Sequence, residues 1–138
     1  MTGAGGGGGG GTGAPAPIRE YEVRARSTDV FGRVLCSARA HHFIVDGPVQ
    51  NGCPGEELTP PEVFLSGIAA CGVELIHVIA KEQARALGSV RAKIYGKVDR
   101  SKQPKKDVTV FNEVRIEFEF SGTDAASAEE LVDSFTRR

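Results

Sequence analysis

The chain has 138 residues, with 17 Lys and Arg against 18 Asp and Glu, and 18 Gly. That near-neutral balance, with no basic stripe, argues against nucleic acid as a partner. No apolar run reaches the roughly 18 residues of a membrane span. The N-terminus lacks the basic and apolar regions of a secretory signal, and position 2 is Thr where myristoylation needs Gly. Three Cys without dense spacing do not make a disulfide framework. These features lead us to expect a soluble cytoplasmic protein.

Nine of the Gly fall within residues 1–17, a stretch with no charge and almost no apolar side chain. Such a segment cannot bury enough surface to offset its ordering entropy, so residues 1–17 are expected to be a disordered tail. Residues 18–138 then form one domain. Tyr21, Val23 and Ala25 alternate with Glu22, Arg24 and Arg26, the period of a half-buried strand. Asp29–Gly32 reads as a turn, Val34–Val45 as one or two strands, and Asp46–Thr59 as a loop.

Thr59, Pro60 and Glu62 have the spacing of a capping box, with Thr59 at the N-cap and Glu62 at N3. The helix they open, Pro61–Leu87, is apolar on nearly every face as far as Ala80, and Gly88 is expected to close it. A helix apolar all round needs burial all round, either inside a sheet or at a subunit interface. Val90–Val98 and Val108–Phe120 alternate as strands. Arg91, Lys93 and Lys97 in the first suit an antiparallel pairing with Glu113, Glu117 and Glu119 in the second. Ser127 and Glu130 form a second capping-box pattern before a short helix carrying Ala128, Leu131 and Phe135. The fold class is α+β.

Cys71 is the strongest candidate for chemistry. It lies in the apolar helix among Gly67, Ala69, Ala70 and Gly72, small residues that admit a second backbone or a small substrate. A small hydrophobe in a tight helix crossing is the competing explanation. A reactive Cys must be a thiolate, and the helix dipole helps only within the first turn, so a cation from another element is required. Arg26, Arg33 and Arg39 are available, whereas His77 lies about 120° around the helix from Cys71. His41 and His42 point to opposite faces of a strand and cannot share a metal ion; no metal or cofactor site is expected. Cys53, in the loop, and Cys36, on a strand, could resolve an oxidised Cys71.

The stretch Asp46-Gly-Pro, Gly52, then Gly55-Glu-Glu-Leu-Thr-Pro-Pro-Glu-Val-Phe-Leu-Ser-Gly-Ile-Ala-Ala-Cys71 resembles the OsmC/Ohr family, the osmotically inducible and organic hydroperoxide resistance proteins. The resemblance covers residues 18–138. It implies antiparallel sheets wrapped around a long buried central helix, in an intertwined homodimer. It also implies a thiol peroxidase in which Cys71 attacks the O–O bond of an organic hydroperoxide or of hydrogen peroxide and becomes a sulfenic acid. Arg33 and Glu62 would hold the thiolate.

Two departures from the family pattern stand out. Pro61 occupies the position ten residues before Cys71 where characterised peroxidases carry Glu, and Glu62 lies nine before it. This Pro-x-Glu spacing is closer to the OsmC-like branch, in which Glu62 serves as a capping residue. The chain also stops at Arg138, before the family's second Cys, so an external thiol reductant is expected. Two alternatives stand beside this reading. One is a non-catalytic homodimer that binds a small apolar ligand. The other is a hot-dog-fold thioesterase using a helix carboxylate such as Glu74.

Overall fold

The computed structural model describes residues 16–138. The tail expected over residues 1–17 therefore lies outside the described residues, except for Ala16 and Pro17, which are exposed. Three N-terminal strands, β1 (Arg24–Ser27), β2 (Arg33–Ala38) and β3 (His41–Asp46), form an antiparallel sheet in the order β1-β2-β3. The second sheet is an antiparallel pair, β4 (Val90–Lys97) with β5 (Glu113–Phe120). Between the sheets in sequence runs α1 (Pro60–Glu82), and α2 (Ala125–Thr136) closes the chain.

The core is assembled on one side of α1. Ile76, Ile79 and Ala80 pack with Leu131 of α2, and Phe118, Phe120 and Phe135 lie against them. Gly72 belongs to this side for a steric reason: a Cβ there would come within 2.9 Å of the Phe118 ring. The strand pair supplies the other wall, because β4 alternates half-buried and exposed residues along its whole length. Its register sets Lys93 opposite Glu117 and Arg91 opposite Glu119, as the charge pattern predicts. Arg115 sits over the Tyr95 ring at 5.2 Å.

Several boundaries differ from the sequence reading. Tyr21 and Val23 lie outside β1 and are exposed, and β1 itself has no buried face, so the apolar alternation there marks no core strand. The long helix stops at Glu82, well before Gly88. Its end is a Schellman motif in which Arg85 N–H bonds Ala80 O at 2.9 Å and Ala84 N–H bonds Lys81 O at 3.2 Å. Ala84 supplies the left-handed residue at φ 51° that Gly usually provides. Gly88 is small for another reason, since a Cβ would meet Ser121 Oγ at 2.8 Å. The second strand begins at Glu113, because the chain from Val98 to Asn112 is folded by side-chain hydrogen bonds. The last helix begins three residues before the expected box, with Asp124 accepting from Ser127 N–H at 2.7 Å. Ser127 Oγ and the Glu130 carboxylate instead receive Arg85 from the end of α1.

The window of α1 with mean hydropathy 2.0 is long and apolar enough to cross a membrane, although only 22% of it is buried within this chain. This corrects the reading that no segment reaches a span. The helix nevertheless serves as a core element here, packed along β4 and α2 and meeting the N-terminal sheet at β3. Its outward stripe, Phe64, Gly67, Cys71 and Glu74, is exposed.

Candidate active site

Pro60 and Pro61 open α1 with a preset φ, and Glu62 closes the cap. The Glu62 carboxylate accepts Thr59 N–H at 3.0 Å and the Thr59 hydroxyl at 2.6 Å. Those two bonds, the hydroxyl's first, hold its pKa below the usual carboxylate value. Glu62 is thus a working cap. Cys71 follows two and a half turns later, on the exposed stripe. Gly67, one turn before it, has open space where a side chain would stand.

Arg33 opens β2 opposite Asp46, the last residue of β3. Its Nε and Nη2 donate to the two Asp46 carboxylate oxygens at 2.8 and 2.9 Å, and Nη2 also reaches Glu56 at 3.0 Å. Asp46 is 0% exposed, and it further accepts the backbone N–H groups of Glu56 and Glu57 at 3.1 and 3.0 Å. The Arg33 guanidinium chiefly, with the two amides, holds the Asp46 carboxyl far below the ordinary carboxylate range despite its burial. Reciprocally, Asp46 and then Glu56 raise the Arg33 pKa. One buried carboxylate therefore pins the hairpin to the loop leading into α1. Among the described residues, Arg33 Nη1 has no hydrogen-bond partner.

Cys53 completes the same corner. Its Sγ fills the space beside Gly32 and Gly47 so closely that a Cβ on either would lie within 2.5 Å of it. Gly47 N–H bonds Gly32 O at 2.8 Å in the same contact. Cys53 is a wedge between the β1–β2 turn and the loop. Cys36 is half-buried in the middle of β2, between Ala25 and Phe43.

The sequence candidates are not joined within the chain. Among the described residues no hydrogen bond links Arg33, Glu62 and Cys71. Nine residues of continuous helix separate Glu62 from Cys71, about 13.5 Å along the axis and half a turn around it, so they face opposite sides. Asp46 and Glu56 were missed by the sequence reading. The signal for Asp46 was the two-residue turn Arg39–Ala40, from which the β2–β3 register runs back to the Arg33–Asp46 pair.

A long apolar helix bearing one exposed Cys, two antiparallel sheets and a loop pinned by the Arg33–Asp46 ion pair define an α+β protein whose candidate site centres on that thiol. A profile described as OsmC-like protein matches residues 53–138, and the chain belongs to that family. Comparison with curated proteins finds no match. Among solved structures, an OsmC-like protein from Mycoplasma pneumoniae superposes with a TM-score of 0.73 at 17% identity, covering 87% of this chain and 82% of that one. An organic hydroperoxide resistance protein OsmC from Legionella pneumophila gives 0.70 at 20% identity, with 88% and 85% covered. An organic hydroperoxide resistance protein from Elizabethkingia anophelis gives 0.70 at 14% identity, with 88% and 84% covered. At these identities the likeness establishes the fold.

Proposed function

We propose that the protein is a cysteine-based thiol peroxidase of oxidative-stress defence, reducing organic hydroperoxides or hydrogen peroxide with Cys71 as nucleophile. The observation that carries this reading is the placement of Cys71 on an exposed stripe of α1 beside the open space at Gly67. Membership of the OsmC-like family supports it, as does the fold shared with two solved structures named as organic hydroperoxide resistance proteins.

In the first step the Cys71 thiolate attacks the distal peroxide oxygen. An S–O bond forms and the O–O bond breaks. The alkoxide leaves, taking a proton to become the alcohol, and Cys71 is oxidised to the sulfenic acid. A thiol of an external reductant then displaces water to give a mixed disulfide, and a second thiol returns Cys71 to its reduced form. An external thiol is the natural partner because Cys53 is wedged between two glycines and Cys36 lies within a sheet.

The protein works as a homodimer in this reading. A second copy packed along α1, leaving the space at Gly67 open beside Cys71, would supply the burial that the chain itself does not. It would also bring Arg33 and Glu62 of one copy toward Cys71 of the other, which helix geometry forbids for Glu62 within a copy. Arg33, anchored through Nε and Nη2, would offer Nη1 to the thiolate or the peroxide.

One observation favours a second reading, a non-catalytic dimer that binds a small apolar ligand: Arg33 and Glu62 are both already engaged, by Asp46 with Glu56 and by Thr59. The Cys71→Ser variant separates the two. The peroxidase reading expects loss of thiol-dependent hydroperoxide consumption with an unchanged dimer mass by light scattering. Consumption at the wild-type rate in that variant would sink it.

A further inference from the structure

The connection from Val98 to Asn112 has little regular structure, yet it is held by a dense set of side-chain bonds. Asn112 Oδ1 accepts Asp99 N–H at 2.6 Å, and its Nδ2 donates to Lys102 O at 2.8 Å. Gln103 accepts Val110 N–H at 2.7 Å and donates to Asp99 O at 2.8 Å. Asp99 caps the single turn Arg100–Lys102 by accepting Ser101 N–H and its hydroxyl. Phe111 stacks on Phe64 of α1 with centroids 5.8 Å apart, fixing the connection to the helix. Connections of this length are uncommon in compact domains, and one held in order by its own side chains is a candidate for function.

This built loop forms one wall of a cavity of about 660 Å³. Val98, Val110 and Phe111 give that wall an apolar surface, and Arg100 stands at its edge. Val98 and Val110 remain 44% and 43% exposed in the chain. Gln50 and Asn51 from the loop before α1, with Pro61, form the facing wall. Arg100 is the sole charged residue of the lining and makes no ion pair among the described residues.

We propose that this cavity is a binding site for a small organic carboxylate with an apolar body, separate from Cys71. A guanidinium fork matches the two oxygens of a carboxylate, and one such cation balances a single negative charge. The amides of Gln50 and Asn51 add neutral donors, and the valines with Phe111 hold the apolar part. The volume lies within the range that small-molecule sites occupy.

The test is a titration of the protein with 4-phenylbutyrate and with 4-phenyl-1-butanol, its uncharged counterpart, followed by amide correlation spectra. The carboxylate should shift the amides of residues 98–100, 109–111 and 50–51 saturably, and bind at least tenfold more tightly than the alcohol. Arg100→Gln should reduce the carboxylate to the affinity of the alcohol, while Cys71→Ser leaves both unchanged. Absence of saturable shifts at these amides, equal affinity of the two probes, or unchanged carboxylate binding in Arg100→Gln would overturn the site. Loss of binding in Cys71→Ser would place the ligand at the thiol and overturn it equally.

Discussion

The two halves of this chain are held together by different forces. From α1 onward, apolar packing sets the structure: Ile76, Ile79 and Leu131 are fully buried against aromatic rings of β5 and α2. The N-terminal sheet has almost no core of its own. Val45 is its one buried hydrophobic residue, and the only charged group buried in the described structure, Asp46, lies beside it. Helix and strand pair are thus a packed unit, whereas the sheet is fastened by an ion pair and a wedged thiol. Cavities should break the first half and acid the second.

The largest expected effect is Ile79→Ala, which leaves a cavity in the packed half and should cost about 2–5 kcal/mol of stability in urea unfolding at fixed protein concentration. A loss under 1 kcal/mol would mean that α1 is not anchored there. Asp46→Asn tests the other half through pH. The folded Asp46 pKa is depressed, so its contribution is complete above the unfolded value, near pH 4, and fades as pH falls toward the folded one. Wild-type stability should therefore drop more between pH 6 and pH 3 than that of Asp46→Asn; equal drops would remove the ion pair from the account.

Gly72→Ala forces a Cβ to 2.9 Å from the Phe118 ring and should destabilise by about 1–3 kcal/mol, despite the better helix propensity of Ala. A stabilised variant would show that the ring moves freely. Smallest is Ala84→Gly, which relieves a left-handed non-glycine residue at the helix end and should raise stability by about 0.5–1 kcal/mol. A lowered melting temperature would contradict the strain.

The same contrast explains what could be read from the sequence. The α+β class, the capping box at Thr59 and Glu62, and the charge register of β4 with β5 were legible because they follow local periodicity and spacing. The helix end was misplaced because an Ala occupies the position where Gly is the usual signal. Val108–Asn112 looked like strand because its valines alternate, and only the bonds of Gln103 and Asn112 show why it is not. At the candidate site, Cys71 stood out by its small neighbours. The partners of Arg33 did not, since a surface Arg and a buried Asp meet only once the hairpin register is known. Cys53 likewise looked like a mobile loop thiol until Gly32 and Gly47 closed around it.

The central claim, that Cys71 is a peroxidatic thiol, is tested most directly by its own oxidation rate. Cys71 sulfenic acid formation should be followed by trapping and mass spectrometry, with cumene hydroperoxide and with hydrogen peroxide under identical conditions. The account predicts oxidation far faster than that of a free thiol, with the organic peroxide preferred. Equal rates for both peroxides, no faster than a free thiol, would contradict it and leave the non-catalytic dimer standing.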